Sequence, residues 1–225
     1  MAIEIHATTE FKRAAHLHLP VARLQQLSAD EHASRADANQ ATSLMGWWTV
    51  MRHHGAPTRL LDWTLSPYVA AYFACEPVLE TSNRPFGVVW VLDMGALRLH
   101  MDTKYAAADG NTRITDRLIM APGAPDDLLP LFHSMPTDRM LAQQGCFTVC
   151  RNVLADHGEI IRQSVPGALT CLLIPDDIKA EFRRRLRQVN LTAYTLFGEL
   201  DGLGRHTDEA VTILVDQHAR ARAAD

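Results

Sequence analysis

The sequence predicts an α+β fold, a single mixed α/β domain in which helices flank a small central sheet. Three observations predict it. Apolar residues recur at three- and four-residue spacing from Thr42 to Gly55, and a second apolar helix follows Ser66-Pro67. Phe86 to Leu92, FGVVWVL, is an unbroken apolar, β-branched and aromatic run bounded by Pro85 and Asp93, the pattern of a central strand. Across 225 residues, 47% of them hydrophobic, no linker or internal repeat divides the core.

Taken in order, a first helix is expected to start at Thr8 or Thr9, whose hydroxyls suit a cap, and to run through EFKRAAHLH until Pro20 interrupts it. Residues 28–40 are polar enough for a loop or an exposed helix. From Thr42, Leu44, Trp47, Trp48 and Met51 mark a buried helix face, and Gly55 ends that helix just after His53 and His54. Residues 58–63 are short, partly β-prone and too polar for an ordinary core strand. At Ser66-Pro67 serine can cap and proline fits the first turn, so YVAAYFACE continues as a buried helix. Beyond the strand at 86–92, residues 100–135 are rich in Gly, Pro, Asp and Asn and suggest loops and short helices, with a mobile segment from Ala121 to Pro125. Gln144 to Val149 and Ala168 to Ile174 are two further strand candidates. Pro175 then opens a helix with Asp176 and Asp177 at its start and Arg183, Arg184, Arg185 and Arg187 near its end, as the helix dipole favours. Thr207 or Asp208 is expected to cap a final helix over about residues 207–222.

Twenty-two basic against 26 acidic side chains give a formal charge of −4, which argues against a protein held on nucleic acid by non-specific phosphate contacts. The four cysteines lie in apolar stretches without a Cys-x-x-Cys pair, the pattern of small buried hydrophobes in a reducing compartment. No apolar run is long enough to span a membrane, and the N-terminus lacks a signal-peptide pattern, so a cytoplasmic chain without membrane association is expected. Eleven histidines form no H-E-x-x-H motif, and Cys146 and Cys150 lack a nearby second pair, so no metal is expected.

The chemistry concentrates in residues 51–75. Thr58, Arg59, Asp62 and Thr64 sit between two apolar helices and would cost several kcal/mol if buried unpaired. Either they satisfy one another, as an Arg59–Asp62 bridge fixing the corner, or they face a ligand. Arg59 offers a planar fork for carboxylate or phosphate, Asp62 can accept from hydroxyls, and Trp63, Tyr68 and Tyr72 offer aromatic faces, together a set suited to a nucleotide. His54 either stabilises the last helix carbonyls or points into the Arg59 pocket. The Asp126-Asp127 and Asp176-Asp177 pairs read as structural, and EFRRRLR at 181–187 reads as a solvated helix face more readily than an RNA contact.

His53-His54-Gly55-Ala56-Pro57-Thr58-Arg59-Leu60-Leu61-Asp62-Trp63-Thr64, followed by Ser66-Pro67, Ala70 and Tyr72-Phe73-Ala74, resembles the signature of the FRG-domain family. Arg139, Gln143, Gly145 and Phe147 resemble that family's second motif, within residues 139–149, and LFGELDGL at 196–203 resembles its C-terminal one. No Arg-Gly dipeptide occurs in the sequence, so the chain departs from the Phe-Arg-Gly motif that names the family and is expected to be an N-terminally shortened version. The resemblance implies a layout similar to ADP-ribosyltransferases, with NAD as substrate and no covalently bound cofactor, in a bacterial or phage toxin or defence setting. In that scheme Asp62 or Gln143 would steady the developing charge on the ribose. His54, Arg59, Trp63, Thr64, Tyr72, Arg139 and Phe147 would hold the ligand. A glutamine orients but cannot act as a carboxylate base, which keeps a non-catalytic nucleotide-sensing or protein-interaction module as the alternative and an RNA-binding effector as the second.

Overall fold

The computed structural model describes residues 2–36, 40–76, 86–105, 126–131 and 137–224. The chain divides into two compact units. One comprises Met1–Asp62, Asp93–His133 and Phe147–Leu169, and the other Trp63–Leu92, Ser134–Cys146 and Thr170–Asp225. Helices with small sheets make up both, so the mixed α/β class is correct.

In the first unit, α1 (Ala2–Ala15) and α2 (Val21–Ala36) pack on α3 (Gln40–His53). Ala15, Leu27, Trp47 and Val50 form the buried centre of this packing, with Phe11, Leu19 and Leu24 around it. The helix α1 starts six residues or more before the expected caps. Thr8 and Thr9 lie inside it, and their hydroxyls donate back to the carbonyls of Glu4 and Ile5, each at 2.8 Å. A threonine hydroxyl can serve either a helix start or a preceding turn, and local sequence does not choose between them. The polar stretch from Ser28 is helical to Ala36, and α3 ends as expected, with Gly55 at φ +78°.

The polar connection after Pro57 becomes a strand, β1 (Leu60–Thr64). Its sheet has the order β1-β4-β3, with β3 (Leu128–Leu131) antiparallel to β4 (Gly145–Cys150) and Leu131 opposite Phe147. The helix α5 (Met94–Tyr105) packs on β3, as does α7 (His157–Ser164). Lys104 and Tyr105 both bond the buried Asp127 carboxylate, so that aspartate is structural as expected. The segment from Ala121 to Pro125 lies outside the described residues.

In the second unit, α4 (Pro67–Ala74) starts at the Ser66 cap, whose Oγ accepts from the Val69 amide. Strand β2 (Phe86–Leu92) has the expected bounds but not the expected place. It pairs with β5 (Leu169–Pro175) in a two-stranded sheet, and Phe86, Val88 and Trp90 are 46, 40 and 49% exposed. The helices α4 and α8 (Asp176–Gln188) pack against β2, and at Gly87 any Cβ would overlap the Ala74 carbonyl oxygen. An all-apolar strand therefore marks high β propensity here rather than burial of both faces.

The last elements of this unit are α6 (Asp138–Ala142), α9 (Ala193–Phe197) and α10 (Glu199–Ala224). The final helix starts at Glu199 rather than at residue 207, and the Thr207 hydroxyl donates to the Leu203 carbonyl within it. Gly198 and Glu199, at φ +67° and +49°, turn the chain from α9 into α10. Tyr72, Val69, Leu186, Ala193 and Leu196 form the buried centre between α4, α8 and α9.

Candidate functional site

Arg59 is the most completely engaged polar residue of the signature. Its side chain is 1% exposed and pairs with Glu4 of α1. The Nε donates to Glu4 Oε2 at 2.8 Å, Nη2 bonds the same oxygen, and the Arg59 amide donates to Oε1 at 3.2 Å. Nη1 donates to the carbonyls of Arg151 at 2.9 Å and Cys150 at 3.4 Å, and the guanidinium lies 4.7 Å over the Trp48 ring. Trp48 Nε1 in turn donates to the Thr8 hydroxyl at 3.2 Å. The fork expected to suit a carboxylate or a phosphate meets a carboxylate from the same chain.

The corner bridge suggested by residue types is not formed. Asp62 is exposed and accepts from Arg52 Nε at 2.7 Å, while Arg59 takes Glu4. Sequence reasoning missed Glu4 because the helix was started at Thr8 or Thr9, leaving residue 4 outside any element. The available signal was Glu4 and Thr8 at i, i+4 on one helical face, the spacing that brings two side chains together.

Beside this pair lies a cleft of ≈ 630 Å³ lined by Glu4 and Ala7 of α1, by Pro57 and Thr58 of the signature, and by Asp126, Arg151, Asn152, Val153 and Leu154. Asn152 Nδ2 donates to Asp126 at 3.2 Å. Val153 and Leu154 are 43 and 94% exposed and give the cleft an apolar wall. His54 is exposed at the end of α3, its ring 4.8 Å from that of His53, and does not line the cleft. Phe147 is 4% exposed and belongs to the core of β4.

In the second unit the three motif segments meet. The Thr64 hydroxyl donates to the Gln143 carbonyl at 2.7 Å, and the Leu65 amide donates to the Gln144 carbonyl at 3.0 Å. The Gln143 side chain donates to the Leu196 carbonyl at 3.2 Å. Arg139 and Arg205 stack on the Phe197 ring at 4.6 and 4.4 Å, and Phe73 meets that ring edge-on at 5.9 Å. Tyr72 is buried, and its hydroxyl donates to Glu209 of α10. Burial, then the Glu209 hydrogen bond and charge, push the Tyr72 phenol far above its ordinary value. Burial also raises the Glu76 carboxyl, against the opposing charge of Arg205. Trp63 is half-buried. Several of these contacts connect residues far apart in sequence, Tyr72 and Glu209 by 137 positions, and only the Gln143, Thr64, Tyr72 and Arg139 ends of them were singled out from sequence. Phe73, Phe197, Arg205 and Glu209 carried no local signal beyond the motif strings.

Among the described residues no helix is long and apolar enough to cross a membrane, and no group of three or more His, Cys, Asp or Glu is placed to hold a metal ion. Residues 3–83 match the family model described as the FRG domain, a span that includes Glu4, Pro57, Thr58 and the whole signature. No curated protein and no solved structure matches the chain. The motifs at 139–149 and 196–203 lie beyond the matched residues.

Proposed function

We propose that this chain, which carries an FRG domain over residues 3–83, recognises a nucleotide of the NAD or ADP-ribose kind in the cleft rimmed by Pro57 and Thr58. The make-up of the cleft carries the reading. Its ≈ 630 Å³ is in the range of small-molecule sites, and its walls supply what each part of such a ligand needs. Val153 and Leu154 offer an apolar surface to a base or a nicotinamide ring. Asp126 and Asn152 offer acceptors to ribose hydroxyls, and Arg151 offers a guanidinium to a pyrophosphate.

The finer role is that of an ADP-ribosyltransferase-like or NAD-splitting effector of a bacterial or phage toxin or defence system. As the nicotinamide bond breaks, positive charge develops on the ribose, and a carboxylate or another oriented oxygen facing it steadies that charge. Asp126 and Glu4 are the acids that line this cleft, whereas Asp62 and Gln143 do not line it. The second reading, a nucleotide sensor without chemistry, is favoured by a specific observation: the Arg59, Gln143 and Thr64 side chains all bond to protein groups. RNA contact through residues 181–187 has less support, since Arg184 and Arg185 both bond Glu181.

Calorimetry with NAD and ADP-ribose, paired with chromatography for released nicotinamide, tests all of this. Binding is expected, and Arg151→Ala should weaken it about tenfold, the loss of one charge-assisted contact. Nicotinamide release marks the enzyme and binding without release marks the sensor. Absence of binding to either compound refutes the cleft reading.

A further inference from the structure

We infer that the Glu4 carboxylate is a built-in stand-in for an anionic ligand, and that the Arg59 donors behind it form a phosphate seat opening to the cleft. The inference rests on the cleft reading above and deepens it. Three donors of one residue, the Arg59 amide, Nε and Nη2, converge on the two oxygens of a single carboxylate. The same array of a guanidinium fork beside a backbone amide matches the oxygens of a phosphate. The fourth direction is already closed, because Nη1 is held by the Arg151 and Cys150 carbonyls and Trp48 covers the guanidinium face. The seat is therefore fixed in place whichever anion fills it.

Glu4 has a double position that an ordinary structural ion pair does not need. It bonds the guanidinium on one side and lines the cleft on the other. Glu4 lines the cleft and its partner Arg59 does not, and the inference places the carboxylate between the cleft and the donors. The helix that carries it is tied down elsewhere, by Thr8 to Trp48 and by Ala15 in the core around Trp47. The Glu4 side chain can then swing into the cleft while α1 stays seated. A buried ion pair contributes little net stability over an apolar pair of the same shape, so stability alone does not explain this one. A displaceable internal anion does: it keeps Arg59 paired until a phosphate group with more charge and more acceptor oxygens arrives.

Glu4→Ala and Glu4→Gln, each measured by thermal unfolding and calorimetry at constant ionic strength with sodium pyrophosphate, with ADP-ribose and with formate, test the seat. Both variants should lose thermal stability and recover it in pyrophosphate, which should raise the wild-type midpoint by a smaller amount at the same concentration. Pyrophosphate should bind Glu4→Ala on the order of tenfold tighter than wild type, since the competing carboxylate is gone. Adding Arg59→Met to Glu4→Ala should remove that gain. The inference is overturned if the gain survives without Arg59, if formate restores stability and pyrophosphate does not, or if neither variant folds even with pyrophosphate present. Wild-type ADP-ribose binding through Arg151, with no gain in the Glu4 variants, refutes the seat and leaves the cleft reading standing. A pyrophosphate gain in Glu4→Ala without any wild-type ADP-ribose binding supports the seat and removes the nucleotide reading.

Discussion

At the scale of single residues, the buried charges set the largest energies. Arg59→Ala removes the guanidinium from a Glu4 carboxylate that is 6% exposed in the native pair, and the expected cost is about 3–5 kcal/mol, read as a fall in the urea midpoint. Asp62→Ala removes one partner of an exposed pair with Arg52 and should cost about 1 kcal/mol or less in the same experiment. The contrast tests the correction made by the structure, for an Arg59–Asp62 bridge would make the two variants fail alike. His157 gives a pH dependence. Its Nδ1 lies 2.8 Å from the Thr148 hydroxyl, and burial lowers its pKa, opposed by the Asp156 charge. A histidine depressed in the fold binds more protons when unfolded, so its contribution to stability is present above the ordinary histidine range and fades as pH falls through the folded value. Thermal midpoints of wild type should therefore drop from neutral pH toward pH ~5 more than those of His157→Gln, the window being set by the ordinary histidine value.

At the scale of elements, caps and close approaches decide which helices and strands hold. Ser66 caps α4 through the Val69 amide, and Ser66→Ala should cost about 1 kcal/mol by chemical denaturation. Gly202 sits where α10 crosses α9. A Cβ there would lie 3.1 Å from the Ala193 carbonyl oxygen and 3.3 Å from Tyr194 Cα, both backbone atoms that cannot swing aside. Gly202→Ala should cost about 1–3 kcal/mol, and it should loosen Arg139 and Arg205 from Phe197, visible as line broadening of the Phe197 ring signals by NMR. The Ser66-Pro67 helix start, the Gly55 helix end and the bounds of β2 were legible because each rests on one or two neighbouring residues whose backbone preference is strong. The start of α1, the start of α10 and the place of β2 were not. Threonine hydroxyls serve a cap or a preceding carbonyl equally well, and an apolar strand carries no mark of which sheet will receive it.

At the scale of the whole molecule, the cysteines offer a simple check on both units. Cys75, Cys146 and Cys150 are buried, with burial the main cause raising each thiol, and Cys171 is exposed. One thiol per chain should react quickly with an aromatic disulfide reagent in the native state, and all 4 should react in denaturant. Fast reaction of more than one native thiol would contradict the packing of β4 and α4. By itself the sequence determined the mixed α/β class, the string at 51–75 that resembles the FRG-domain signature, and the helices and strands marked by strong caps or unbroken apolar runs, because these depend on periodicity, caps and short strings of residue types. Only the tertiary structure decided what each polar side chain of that signature meets. Arg59 finds Glu4 from 55 positions away, and Thr64, Gln143 and Leu196 are joined across the chain. A buried charge takes whichever counter-charge the packing brings within hydrogen-bond reach, and sequence neighbours such as Asp62 have no privilege in that choice.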